Sequence, residues 1–275
     1  MPIPMLGPGL GQMLRDTPGD VPAALRFLSR LPIPPLPFER PWDEGRELGQ
    51  MAPAFAVAGA LIALIGALVF TLAAALGLGA FLAATLTLAA LMMVTGGFHE
   101  DGLADTADAL GGTTRTRRLE IMKDSRIGSF GVLALVVSFA LRAGTLQALA
   151  QHGVPAVAGA LVAALSLSRV GALAMLAALP PARAEGLSRR AGRPAGMALA
   201  VGLAVAFAIA AVAVVPSLGA GALLGGLLLA AAGFFALVRL ARAQFGGQTG
   251  DVAGAAVLVV EIAFLTGLLI LSRHP

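Results

Sequence analysis

Apolar residues in this chain come in long runs, without the stripe of a half-buried helix or the strict alternation of a half-buried strand. Runs of about 17–25 residues, enough to span a bilayer's hydrocarbon core, fall at 53–76, 79–97, 127–149, 154–179, 195–215, 218–238 and 252–271. Backbone amides cannot go unpaired in hydrocarbon, and runs that do not alternate cannot close a barrel, so seven spanning helices are expected. Gly77-Leu78 makes the first two a tight hairpin. The expected fold class is all-α, a polytopic membrane bundle. Residues 1–52 form a polar, proline-bearing segment, with a short amphipathic surface helix over 21–31, ahead of a single transmembrane domain over 53–275. No apolar h-region precedes the first span, so no cleaved signal peptide is expected.

Composition agrees: 58% of residues are hydrophobic, 12% are charged and mean hydropathy is +0.88, far from a soluble domain. With no cysteine, a thiolate nucleophile and any cysteine-built metal site are excluded. Few aromatics and a net charge of only +4 argue against a nucleic-acid-binding face. Charge also gives sidedness. With seven spans, residues 1–52, 98–126, 180–194 and 239–251 share one side, which holds 16 of the 19 basic and 14 of the 15 acidic residues. The other side carries only Arg273 among charged residues, with His152 and His274. The positive-inside rule makes the charged side, and with it the N-terminus, cytoplasmic. Arg142, Arg169 and Glu261 remain within the spans.

The densest chemistry follows the second run: Gly96-Gly97-Phe98-His99-Glu100-Asp101-Gly102-Leu103-Ala104-Asp105-Thr106-Ala107-Asp108. Asp101, Asp105 and Asp108 stand at i, i+4 and i+7, one face of a helix. Three carboxylates so close raise one another's pKa unless a cation neutralises them, and hard oxygen donors without cysteine suit Mg²⁺ or Mn²⁺. The plainer reading is a solvated helix start whose acids favour the dipole. One Asp fits that reading well; three on one stripe beside a bilayer fit it poorly.

Downstream lie Arg115, Arg117, Arg118 and Glu120, then Ile121-Met122-Lys123-Asp124-Ser125-Arg126-Ile127-Gly128. Arg115 and Arg117 read first as boundary anchors. Residues 123–126 bring the only lysine, a fourth aspartate and an arginine together. Mg²⁺ on a few carboxylates, with Lys and Arg on the remaining phosphate oxygens, is what phosphoryl transfer requires. Arg183 opens a short basic loop whose bland reading is again an anchor. The Gly246-Gly247-Gln248-Thr249-Gly250-Asp251 turn can cradle an anion or simply end a helix. Arg169 is costly in lipid unless it faces a polar cavity or an anion. Arg142 reads as snorkelling outward, and central Glu261 has no sequence-level explanation.

These blocks resemble the cobalamin synthase family, also named adenosylcobinamide-GDP ribazoletransferase. The likeness rests on the Gly96–Asp108 run, on Glu120-Ile121-Met122-Lys123-Asp124-Ser125-Arg126-Ile127-Gly128 and on Gly246-Gly247-Gln248-Thr249-Gly250-Asp251. Phe27-Leu28-Ser29-Arg30-Leu31-Pro32-Ile33-Pro34 and residues 183–187 resemble it too, in the same order, so the likeness runs from about residue 27 to 271. Ala109 stands where the family often has glycine, with Gly111-Gly112 following. The resemblance implies a bacterial inner-membrane, Mg²⁺-dependent phosphotransferase. It would move the cobinamide phosphate of adenosylcobinamide-GDP to α-ribazole or α-ribazole 5′-phosphate, forming adenosylcobalamin or its 5′-phosphate and GMP. On this reading Asp101, Asp105, Asp108 and Asp124 hold Mg²⁺, Asp105 or Asp108 takes the attacking hydroxyl's proton, and Lys123 and Arg126 balance phosphate charge. His99, Arg118, Arg169, Gly247, Gln248 and Asp251 contribute to substrate binding.

Two rivals are weaker. A CDP-alcohol phosphotransferase wants Ala-Arg after the Asp-Gly pair, and here Ala104 precedes Asp105. A secondary transporter wants carboxylates near the midplane, whereas these sit at the boundary among phosphate-type bases. Expected partners are the two small-molecule substrates and the lipid bilayer, with a homo-oligomer compatible and nucleic acid not expected.

Overall fold

The computed structural model describes residues 9–40, 48–183, 192–194 and 196–272. Among these the chain is helical: α1 (Leu10–Leu28), α2 (Ala52–Ala75), α3 (Gly79–Thr95), α4 (Phe98–Ala109), α5 (Arg115–Ile121), α6 (Ser129–Leu149), α7 (Val154–Ala178), α8 (Gly196–Phe245) and α9 (Gly250–Leu271). An all-α polytopic membrane protein is what these elements make. Five helices are long and apolar enough to cross a membrane, or six if the bent pair α3–α4 is taken as one span.

The expected runs map onto these elements with two corrections. The second ends at Thr95, where the chain turns through 92° into α4, so α3 has only 17 residues. The fifth and sixth lie in one 50-residue element, α8, broken at Gly219 with Pro216 just before the break. Its arms fold back on the bundle. A Cβ on Gly159, near the start of α7, would lie 2.1 Å from the Ala213 carbonyl of the first arm, and one on Gly267, near the end of α9, 2.3 Å from the Gly225 carbonyl of the second.

The hydrophobic core mixes alanines, which let helix axes approach closely, with large residues such as Phe55, Phe70 and Phe264. α7 is the most enclosed helix, packed between α2, α8 and α9. Ser166 on α7 donates to the Ala56 carbonyl of α2 at 2.9 Å.

The N-terminal helix is longer than expected and is no free surface element. It starts at Leu10, ends at Leu28 and packs on α2, with Ala24 and Leu28 in the main core. Pro32 and Pro34 forbid its continuation to 31. The chain returns alongside it, Glu39 pairing with Arg26, and Arg40 with Asp16 at 3.0 Å.

Candidate active site

The site begins at the α3–α4 bend. Gly96 and Gly97 both adopt φ 69°, and two successive left-handed residues are what a side chain resists most. The bend turns α4 off the span, so its first turn enters the bundle and its aspartate stripe lies along one end. His99 and Glu100 are buried, Asp101 is exposed, and Asp105 and Asp108 are half-buried.

α9 supplies the next carboxylate. α4 and α9 touch at Gly102, where a Cβ would stand 2.8 Å from the Asp251 carbonyl oxygen. That contact brings Asp251 beside the α4 stripe. Thr249 caps α9 by accepting from the Val252 amide at 3.2 Å, and its hydroxyl lies 3.2 Å from Asp251 Oδ2. Arg183 Nη1 lies 3.6 Å from the same oxygen, while its Nη2 donates to the Leu119 carbonyl at 2.9 Å.

Electrostatics follow from this crowding. Partial burial, then repulsion from Asp101, Asp251 and Asp108, pushes the Asp105 carboxyl up to about 7, against the pull of Arg183. Asp105 is therefore the carboxyl poised near neutrality. Asp108 is held differently: its two oxygens accept the Gly128 amide at 2.7 Å and the Gly131 amide at 2.8 Å, capping α6.

Beside the carboxylates lies a cleft of about 300 Å³ lined by Arg115, Lys123 and Arg183, with Thr116, Leu119, Glu120 and Ala182. The 246–249 turn forms its neighbouring wall. The Gln248 amide donates to the Pro180 carbonyl at 2.9 Å, and the Ala182 amide to the Gln248 carbonyl at 2.8 Å. A Cβ on Gly247 would lie 2.3 Å from the Pro180 oxygen, so glycine is needed for this strand-like approach. The Gln248 amide is thus spent on the chain and is not offered to an anion. Gln248 itself is buried, its Oε1 without a hydrogen-bond partner among the described residues.

Other expected site residues lie elsewhere. Asp124 and Arg126 pair with each other at 2.6 Å in an exposed loop, which holds the Asp124 carboxyl down at about 2 and leaves it outside the Asp105 cluster. Arg118 packs under Gly112. That turn after Ala109 needs no left-handed residue, so the missing family glycine costs nothing there. Arg169 faces inward and pairs with Glu261 at 3.0 Å, away from the aspartates. Arg142 does not snorkel outward: it is buried, 3.1 Å from Glu100 and 3.5 Å from Glu261. Residues 184–187 of the basic loop, and the termini with Arg273 and His274, lie outside the described residues.

Arg183 is the residue that sequence reasoning undervalued, since a lone arginine at a span boundary looks like an anchor. Its place in a block shared with the resembled family was the available signal. Glu100 is overshadowed in the sequence by the three aspartates that follow it; the available signal is two arginines and one glutamate within apolar runs, one acid short of balance.

Among the described residues no three His, Asp or Glu side chains form a ready-made metal cage. The donor chemistry still fits Mg²⁺: Asp101, Asp105 and Asp251 are hard oxygen donors whose mutual repulsion a cation relieves. Mg²⁺ is commonly held by one or two carboxylates and completed by water and phosphate.

Comparison with known proteins is consistent with this geometry. The family model described as cobalamin-5-phosphate synthase matches residues 20–269. A protein of Azorhizobium caulinodans named adenosylcobinamide-GDP ribazoletransferase is 48% identical over 255 residues, 92% of this chain and 96% of its own. Proteins of the same name from Xanthobacter autotrophicus and Bradyrhizobium diazoefficiens are 48% and 43% identical, covering 91% and 93% of this chain and 96% and 98% of their own. No solved structure matches. The aspartate face, the neighbouring basic cleft and a match over nearly the whole length lead to one assignment: the chain belongs to the cobalamin-5-phosphate synthase family.

Proposed function

We propose that this multi-pass membrane protein transfers the cobinamide phosphate moiety of adenosylcobinamide-GDP to α-ribazole or α-ribazole 5′-phosphate. The products are adenosylcobalamin or its 5′-phosphate, and GMP, which makes this the nucleotide-loop assembly step of cobalamin biosynthesis. Relatives named adenosylcobinamide-GDP ribazoletransferase match over 91–93% of the chain, and the observation that carries the chemistry is Asp105 crowded by Asp101 and Asp251, beside a cleft lined by three cations.

An acceptor hydroxyl attacks phosphorus, the bond to GMP breaks, and the hydroxyl proton must leave. Asp105, the carboxyl most crowded by other carboxylates, takes that proton. Asp108 is the weaker candidate, since its oxygens already hold α6. Arg115, Lys123 and Arg183 hold phosphate oxygens of the departing nucleotide, positioning and charge neutralisation being most of what phosphoryl transfer asks. Asp101, Asp105 and Asp251 would hold Mg²⁺, which supplies charge neutralisation at the diphosphate. The Asp124–Arg126 pair, first read as part of the metal and phosphate set, takes no part in this arrangement. The site faces the cytoplasm from the bacterial inner membrane, with the N-terminus on the same side, because the charged loops gather there.

The test is GMP release by the purified protein in liposomes from adenosylcobinamide-GDP with either acceptor, with Mg²⁺ or EDTA. Metal-dependent release matched by a new cobamide mass is expected. Release without any acceptor would mean hydrolysis instead of transfer.

A further inference from the structure

Four buried charges form a chain through the bundle below the site. Glu100 of α4 bonds Arg142 of α6 at 3.1 Å, Arg142 lies 3.5 Å from Glu261 of α9, and Glu261 bonds Arg169 of α7 at 3.0 Å. All four are at most 7% exposed. Two carboxylates and two guanidiniums alternate, so each charge has an opposite neighbour.

Stability does not explain the chain. Desolvating ion pairs costs about as much as their attraction returns, and apolar replacements of equal volume are often no worse. What such pairs do supply is a fixed geometry. α4 needs one, because it leaves α3 through two left-handed glycines, and a helix joined by such a bend does not inherit its rotation from the helix before it. Its far end is fixed by Asp108 on the α6 amides. Its near end is fixed by Glu100, adjacent in sequence to Asp101 but directed into the bundle. Successive helix residues point about 100° apart, so the side chain that faces inward at 100 sets where 101 and 105 face. Glu261 lies on the same helix as Asp251, so the chain ties both carboxylate-bearing helices to one reference.

We infer that Glu100, Arg142, Glu261 and Arg169 are positioning residues: their chain sets the rotation of α4 and with it the placement of Asp101 and Asp105 against Asp251. The inference rests on the phosphotransferase reading of that site. The four touch no substrate; they act through the aspartates.

The test uses the double variant Glu100→Leu/Arg142→Leu, which removes one acid and one base together and leaves Glu261 paired with Arg169. Single replacements strand a buried charge and can fail to fold, so the double variant carries the test, with its thermal midpoint in detergent as the folding control. Two readouts are taken on the full-length protein: amide hydrogen exchange over 98–109, and GMP release as a function of Mg²⁺. The double variant is expected to melt near the wild type, to exchange the α4 amides faster, and to lose about 100-fold in kcat, the order that a misplacement of about 1 Å costs. The Mg²⁺ concentration for half-maximal rate should rise about tenfold, while KM for the acceptor stays within about twofold. A merely structural role would lower the amount of folded enzyme and leave kcat per folded molecule and the Mg²⁺ requirement unchanged; that outcome overturns the inference. Unchanged exchange over 98–109 overturns it as well. Exchange needs no turnover, so an unchanged rate overturns the inference even with a wild type that releases no GMP, a result that would by itself count against the phosphotransferase reading alone.

Discussion

The guanidinium of Arg183 stands 3.6 Å from the carboxylate of Asp251, joining the residues that follow α7 to the first turn of α9. The same side chain holds the Leu119 carbonyl of α5, so three separate segments meet on one arginine. Arg183→Gln keeps much of the side chain's length and removes its charge. GMP release should fall about 10–100-fold, the equivalent of the 1.5–3 kcal/mol of a hydrogen bond to a charged group. Steady-state kinetics on the folded variant checks this, and a fall in folded yield with unchanged kcat would show Arg183 to be structural only.

Asp105 and Asp108 sit three residues apart on one helix yet should behave oppositely. Asp105→Asn removes the proposed base, so turnover should drop by about 10²–10⁴, with the fold intact. Asp108→Ala strips two amides at the start of α6 of their acceptor and should cost about 1–2 kcal/mol of stability. Chemical denaturation and GMP release, measured on both variants, separate the two. Equal stability loss in both would show that Asp105 too is mainly a structural residue.

The raised Asp105 carboxyl sets a direction with pH. Its folded value, about 7, lies above its ordinary 3.8, so the folded state favours the protonated form. The corresponding stability is fully present below about pH 4 and is lost as pH rises through 7. In EDTA the protein should melt higher at pH 5 than at pH 8. Millimolar Mg²⁺ should raise the melting point more at pH 8, because the cation binds the ionised carboxylates. Melting curves with equal Mg²⁺ effects at both pH values would refute a metal on Asp105.

Gly102 leaves no room for a side chain against α9. Gly102→Ala sets a methyl 2.8 Å from the Asp251 carbonyl oxygen, and backbone cannot yield as a flexible side chain does. We expect a loss of about 1–3 kcal/mol from overpacking and a fall in kcat as α4 and α9 separate. Gly144, in the interior of α6 with open space around it, is the control: Gly144→Ala should leave kcat unchanged and raise stability by up to about 1 kcal/mol.

Sidedness is testable because the chain has no cysteine of its own. A cysteine at exposed Arg117 should react with an impermeant maleimide only in inside-out membrane vesicles. One at exposed Gln151, in the α6–α7 connection, should react only in right-side-out vesicles. Labelling of both from the same side would refute the proposed topology.

Much of the architecture was legible because lipid imposes a simple rule on length and polarity. The long apolar runs became helices nearly where they were expected, and the acidic stripe fell on one face because i, i+4, i+7 spacing leaves a helix no alternative. What stayed hidden depended on contacts distant in sequence. Nothing near Asp108 announces that its carboxylate caps a helix 20 residues on. Arg142 and Glu261 looked like misplaced charges until helix packing set them side by side. Pattern also missed the bend after Thr95, because a hydropathy run records where apolar residues stop and not which way the chain then turns. Asp124 and Arg126 matched a motif, yet local chemistry pairs them with each other.

The 92° turn at Gly96 and Gly97 bears on how such a site is assembled. Continued straight, the 12 residues of α4 would stand about 18 Å clear of the bundle, each carboxylate hydrated independently like rungs of a mast in open water. Folded flat, the same overhang becomes a tile on the rim of the bundle. Its acids share their hydration with α9 and must bargain with one another for protons. A membrane-type helix thus ends in a polar ledge made by its own continuation, which offers charged groups at the end of an otherwise apolar bundle.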